Sequence, residues 1–183
     1  RQNLESIVVV GLQEPGFDMV LTDDMIEKRQ AADLEDLLRQ EPSITVGGGA
    51  PIAQKIYVRG MEDTLMNVTI DGATQAGYLY HHQGRVYVEP ELIKNIVVKP
   101  GAGIATDGAG ALGGAIHFNL KDAQDLLRNN ESFGALLKSS TNSINQGFKN
   151  HISAYGMLGD EIGILASVTD YASSDDYKDG NGD

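Results

Sequence analysis

Six glycines fall between Gly101 and Gly114, and they constrain the chain more than any other stretch. An apolar run, Ile96 to Val98, leads in, and an alternating run, Ala115 to Leu120, leads out. Glycine at this density means backbone that turns tightly or packs closely on other backbone. A flexible linker would be Gly/Ser-rich and polar throughout, whereas this stretch is bracketed by apolar runs. Val97 to Asn119 therefore reads as strand, ordered glycine turn, strand. Gly108, Gly110 and Gly113 also spell G-x-G-x-x-G, a dinucleotide fingerprint. That motif needs a helix behind it to receive the pyrophosphate, and Gly114 to Leu120 reads as a strand. No Lys-Ser or Lys-Thr follows, so no P-loop forms. A nucleotide-dependent enzyme would rest on Gly108 to Gly113 alone; glycines for close packing are the better reading.

Composition narrows the class. The 183 residues suffice for one domain of ordinary size. Cysteine is absent, which excludes disulfides and thiolate metal sites. A net charge of -12 argues against nucleic-acid binding, which needs a basic face. The charge is uneven: Arg1 to Glu41 holds ten acids against four bases, Pro42 to Lys121 six of each, and Asp122 to Asp183 ten against four. The balanced middle is where a packed core is expected. No run approaches the roughly 20 apolar residues of a membrane helix. No charged segment with an apolar core opens the chain, so a mature or leaderless protein is expected.

Along the chain, Ile7 to Val10 are four consecutive β-branched residues and favour extended backbone, as in an edge strand. Pro15 and Gly16 mark a turn from Gln13 to Asp18. Thr22-Asp23-Asp24 offers an N-cap and two acids for a short helix from Met25 to Arg29. Asp33 caps the next helix, whose Leu34, Leu37 and Leu38 share a face and read as core; Pro42 ends it. Strands are expected at Ile44–Val46, Lys55–Gly60 and Asn67–Gly72. Arg59 is the candidate buried charge with a structural partner, or else a solvated strand arginine. Asp71 either accepts hydrogen bonds from turn N–H groups or pairs with Arg59. The loop Gly77 to Gly84 carries Tyr78, Tyr80, His81 and His82, side chains that iron and haem accept as ligands. The two adjacent histidines point opposite ways on extended backbone, and a solvated polar loop is the plain alternative. Asp122 to Asn130 is acidic and linker-like, with room for one helical turn. Three strands then follow, Ser132–Thr141, Lys149–Leu158 and Glu161–Tyr171, each near the 9–11 residues of a tilted barrel strand.

Several of these segments resemble, in order, the plug domain of TonB-dependent outer-membrane transporters. Glu91 to Gly101 and Ala109 to Ile116 are similar to that family's closing "I-x-x-I-E-V-x-x-G-P" and "G-x-x-A-L-G-G-x-I-N" elements. Asp33 to Pro42, Ile56 to Gly60 and Val68 to Gly72 resemble its helical, "I-x-I-R-G" and "V-x-x-D-G" elements. The chain departs from the pattern at Ser43, at Pro100 before Gly101, and at His117 to Lys121. Glu5, Ser6, Ile7, Val8 and Val9 resemble a Ton box, the segment that the partner TonB grips by strand addition, where main-chain hydrogen bonds carry the affinity.

The resemblance implies an α+β fold: a plug with a small mixed sheet, short helices and long loops, followed by the first antiparallel strands of a transmembrane β-barrel. It implies a Ton-box segment at 1–12, a plug at 13–121, a linker at 122–131 and barrel strands at 132–183. Three strands cannot close a barrel, and open edges cannot stand in lipid, so a fragment of a larger barrel is expected. The implied function is TonB-dependent import of a scarce nutrient across the outer membrane, with a haem or ferric siderophore cargo, no resident cofactor and no covalent chemistry. Tyr78, Tyr80, His81 and His82 would face the substrate, and the question of a metal site stays open. Arg59, Gly60, Asp71, Gly72, Gly101, Gly110, Gly113 and Gly114 would hold the plug's shape. The N-terminus would lie in the periplasm and the barrel in lipid. A free periplasmic binding or signalling module is the alternative, disfavoured by the barrel-like strands.

Overall fold

A computed structural model describes residues 19–48, 51–75, 84–101, 108–143, 146–159 and 161–173. Among the described residues three sheets form, one of five strands and two of three. The first sheet is mixed. Strand β7 (Ile93–Pro100) pairs antiparallel with both β1 (Met19–Leu21) and β8 (Gly114–Leu120), and β8 runs parallel to β5 (Asn67–Ile70). Strand β6 (Ala73–Thr74) completes it. The second sheet is an antiparallel meander of β2 (Ile44–Gly47), β3 (Lys55–Val58) and β4 (Met61–Glu62).

Two short helices cover the core. In α1 (Asp23–Arg29), Thr22 occupies the N-cap but makes no side-chain capping bond. The acids Asp23 and Asp24 in the first turn and Lys28 and Arg29 in the last suit the helix dipole. In α2 (Leu34–Leu38), the Asp33 side chain accepts from the Asp36 amide at 2.9 Å, as the sequence predicts, and Leu34, Leu37 and Leu38 are buried. They pack with Leu21, Ile26, Ile56, Val58, Val68, Ile96 and Phe118 in one apolar core. Strand β7 breaks period-two alternation, because a bulge between Ile93 and Asn95 adds a residue. Ile93 and Ile96 are consequently both buried. Met19–Leu21 escapes sequence reading, since three residues carry too little periodicity.

Turn chemistry corrects one expectation. Arg59 lies neither in a strand nor in a buried ion pair. It sits with Gly60 at the tip of the β3–β4 hairpin, at φ of 51° and 80°, and both residues are exposed. Asp71 and Gly72, at 47° and 79°, make the equivalent turn between β5 and β6. A two-residue hairpin loop of type I′ needs positive φ at both central positions, and Arg-Gly and Asp-Gly supply it. Asp71 pairs with neither Arg59 nor its own turn: its Oδ1 accepts from the Leu120 amide at 2.8 Å, and its amide donates to the Phe118 carbonyl at 2.9 Å. It thus extends the parallel β5–β8 pairing.

The remaining strands form an antiparallel sheet of β9 (Phe133–Asn142), β10 (Gly147–Leu158) and β11 (Ile162–Ala172), within one or two residues of the expected bounds. The expected linker holds one turn of helix, α3 (Ala123–Leu126), closed by a reciprocal Asp122–Asp125 capping box.

The glycine stretch ends in contact too close for any side chain. At Gly114, φ is 119° and a Cβ would lie 2.0 Å from the Lys99 carbonyl oxygen. Gly110, at φ 84°, has nothing within 4 Å of the same position. Gly114→Ala is expected to cost about 3 kcal/mol or more, from clash and strain together. Gly110→Ala should cost about 1 kcal/mol, from strain alone. Comparative thermal unfolding of the two variants checks this; equal losses would contradict the close-approach account.

Candidate functional site

The candidate Ton box, Glu5 to Val9, and the candidate substrate contacts Tyr78, Tyr80, His81 and His82 lie outside the described residues. The platform formed by the residues that flank 76–83 in the chain is described. Gln75 enters it and Gly84 leaves it. The Gln75 amide donates to the Val68 carbonyl and the Gly84 amide to the Ile52 carbonyl, both at 2.8 Å. Arg85 ties the two ends together: its Nε donates to the Gln75 carbonyl at 3.0 Å, and Nη2 donates to the same oxygen. Its Nη1 donates to the carbonyls of Asp63 and Met66. Only a planar fork with several donors can do this at once. Gly84 must lack a side chain, because a Cβ there would stand 2.1 Å from the Gln54 carbonyl oxygen. Beneath lies the buried Asp63 carboxyl, whose pKa burial pushes up, against the pull of the Arg85 charge.

The glycines of the second candidate group bind this platform to β7 and β8. The Gly113 amide donates to the Leu65 carbonyl at 2.8 Å, and the Gly101 amide to the Gly113 carbonyl at 3.1 Å. Among the described residues no group of three His, Cys, Asp or Glu is placed to hold a metal ion.

A second polar centre, which sequence reading did not single out, joins the plug side to the β9–β11 sheet. Glu89 and Glu91 flank the buried Pro90 at a short 3-10 turn, Pro90–Leu92, just before β7. Lys149, on β10, lies 2.8 Å from Glu89 Oε2 and 3.0 Å from Glu91 Oε2, and donates to the Ala32 carbonyl at 2.9 Å. Lys138, on β9, lies 3.0 Å from Glu91 Oε1 and 3.3 Å from the Ala31 carbonyl. The Tyr171 hydroxyl, on β11, donates to Glu89 at 3.0 Å. Side-chain exposure is 6% for Lys149 and 3% for Glu91, so these charges face each other out of water. Burial alone would push the Glu91 pKa up. The Lys138 ammonium at Oε1, the Glu91 amide and the Lys149 charge outweigh it and hold the group below the usual glutamate range. A single lysine inside each of two otherwise uncharged strands, Lys138 in β9 and Lys149 in β10, was the available signal, for each points to the face that carries acids.

Comparison with known proteins settles the family. Residues 13–115 match the sequence profile of the TonB-dependent Receptor Plug Domain. This chain belongs to that family. The plug-domain chain is 35% identical over 163 residues to heme transporter BhuA of Brucella abortus, covering 89% of this chain and 24% of that protein. It is 32% identical over 182 residues to TonB-dependent heme receptor A of Haemophilus ducreyi, covering 96% and 24%. Among solved structures, the FrpB iron transporter of Neisseria meningitidis (F5-1 variant) superposes with a TM-score of 0.72 at 32% identity, covering 90% of this chain and 26% of that one. The chain thus spans about a quarter of the length of the relatives it matches.

Two outcomes follow from the geometry. Arg85→Lys keeps the charge but loses the fork, and should lower stability by about 2 kcal/mol, measured as a lower unfolding midpoint. For Glu91, a folded pKa below the unfolded one gives stability that is complete above the unfolded value and lost as pH falls through the folded one. Glu91→Gln should therefore be less stable than wild type at neutral pH, by about 3 kcal/mol. The gap should close on acidification below the usual glutamate range. A gap independent of pH would refute the ion-pair account.

Proposed function

We propose that this chain is the plug and the opening wall strands of an outer-membrane receptor that imports haem or another iron chelate, driven by TonB. The observation that carries the membrane part is the division of the β9–β11 sheet into two unlike faces. Lys138, Lys149, His151, Ser153 and Thr169 face inward, with the His151 ring held between the Ser153 and Thr169 hydroxyls at 2.7 and 2.8 Å. Leu137, Ile152 and Val168 lie side by side on the other face, 70%, 54% and 71% exposed. From the Leu158–Ile162 row to the Ile152–Val168 row is about 20 Å at about 3.4 Å per residue. That approaches the roughly 25 Å apolar band of outer-membrane barrels. A water-facing sheet would not present such a band; a lipid-facing wall requires it.

The substrate class is supported by the relatives, two named for heme and one for iron. The 76–83 segment holds two phenols and two imidazoles, donors suited to haem or a ferric centre. Arg85 and Gly84 would present that segment at the outer mouth. At the other end, Glu5 to Val9 would pair as a strand with TonB on the periplasmic side. The reading involves vectorial movement, with no covalent step.

Absorbance titration of the full-length receptor with haem tests this. A Soret shift is expected, with affinity about ten-fold weaker in His81→Ala or His82→Ala, the loss of one axial ligand or contact. No shift with haem would remove it as the cargo and turn attention to ferric siderophores. Val8→Pro, which removes a ladder donor, should abolish uptake while leaving the titration unchanged. Uptake at the wild-type rate would remove Glu5 to Val9 from energy coupling.

A further inference from the structure

We propose that the charge network joining Glu89 and Glu91 to Lys138 and Lys149 is a latch, which sets the plug in register on its wall and parts during transport. The proposal rests on the import reading above. The two lysines come from neighbouring strands and converge on one turn of the plug. Lys149 bridges both carboxylates at 2.8 and 3.0 Å, and Lys138 holds the other oxygen of Glu91 at 3.0 Å. Each lysine also donates to a plug carbonyl, Lys138 to Ala31 and Lys149 to Ala32. Such a contact fits in one register only, because a shift along the strands leaves a buried charge without its counter-charge.

The same chemistry lets the contact part. An apolar interface resists separation in proportion to the area it returns to water. Paired charges behave differently: burying them sacrifices hydration that their attraction barely offsets. When the plug leaves the wall and water enters, each charge recovers its hydration, so the network adds register without adding much adhesion. Neutralising one partner is another matter, since it strands the others in a dry contact.

The test uses the full-length receptor in the outer membrane, with two variants: Lys149→Met, and the fourfold Glu89→Gln, Glu91→Gln, Lys138→Met, Lys149→Met. Entry of a large antibiotic that the closed receptor excludes reports seating of the plug; uptake at saturating haem reports its release. Lys149→Met is expected to leak, with antibiotic entry about ten-fold above wild type, because its carboxylates lose their main counter-charge. The fourfold variant should seat as tightly as wild type. Its maximal haem uptake should fall about ten-fold, with haem affinity unchanged, because a neutral contact recovers no ionic hydration on parting. Wild-type tightness in Lys149→Met, leakage in the fourfold variant, or wild-type uptake by the fourfold variant would each overturn the latch. Should Lys149→Met fail to reach the membrane, the fourfold variant decides. Should wild type take up no haem, the cargo reading falls and the antibiotic measurements alone decide the latch.

Discussion

The approach of Gly114 to the Lys99 carbonyl is the constraint on which the plug depends. Any side chain there would force β8 away from β7 at the end of the ladder, where Pro100 pairs with Gly114. That ladder carries Ile96, Val98, Ile116 and Phe118, which are all buried. Strand β8 in turn is the parallel neighbour of β5, and β7 is the neighbour of β1, so the pair sits at the middle of the sheet. The platform built around Gln75, Gly84 and Arg85 hangs from the same place, through the Gly113 amide on Leu65 and the Arg85 fork on Asp63 and Met66.

Against this apolar centre, the plug meets the β9–β11 sheet through charge. The core is closed by burial, which is strong and indifferent to direction. The contact with the sheet is closed by lysines and carboxylates, which are directional and add little net stability once desolvation is counted. The two kinds of contact suit two tasks: one keeps the plug folded, and the other keeps it placed.

What the sequence revealed and concealed follows the same division. Leucines at helical spacing, Asp33 as a cap, the strands on either side of the glycine stretch and the three long strands were legible, because each rests on local pattern. Arg59 misled for a physical reason: hydrophobic alternation from Ile56 to Val58 hides the fact that Arg-Gly is a hairpin turn. Glu89, Glu91, Lys138 and Lys149 were invisible as a group, since their pairing depends on two segments far apart in the chain meeting in space. The family resemblance was legible in ordered motifs; the haem and iron names of the relatives came from comparison, and the residues at 5–9 and 78–82 remain proposals.

The parallel pairing of β5 with β8 has a kinetic consequence. Thr69 and His117, which meet across it at 2.8 Å, are 48 residues apart. Joining them means closing a long loop before any contact rewards it, the situation that slows folding in chains rich in distant pairings. During synthesis, β5 emerges with its β-branched edge open and must wait for β8, while β7 waits for the same partner. An unpaired strand of this kind is a template for unwanted association. The interval before β8 arrives is therefore when the plug most needs shelter from its neighbours, and substitutions at Gly114 that weaken the β7–β8 pairing would lengthen it.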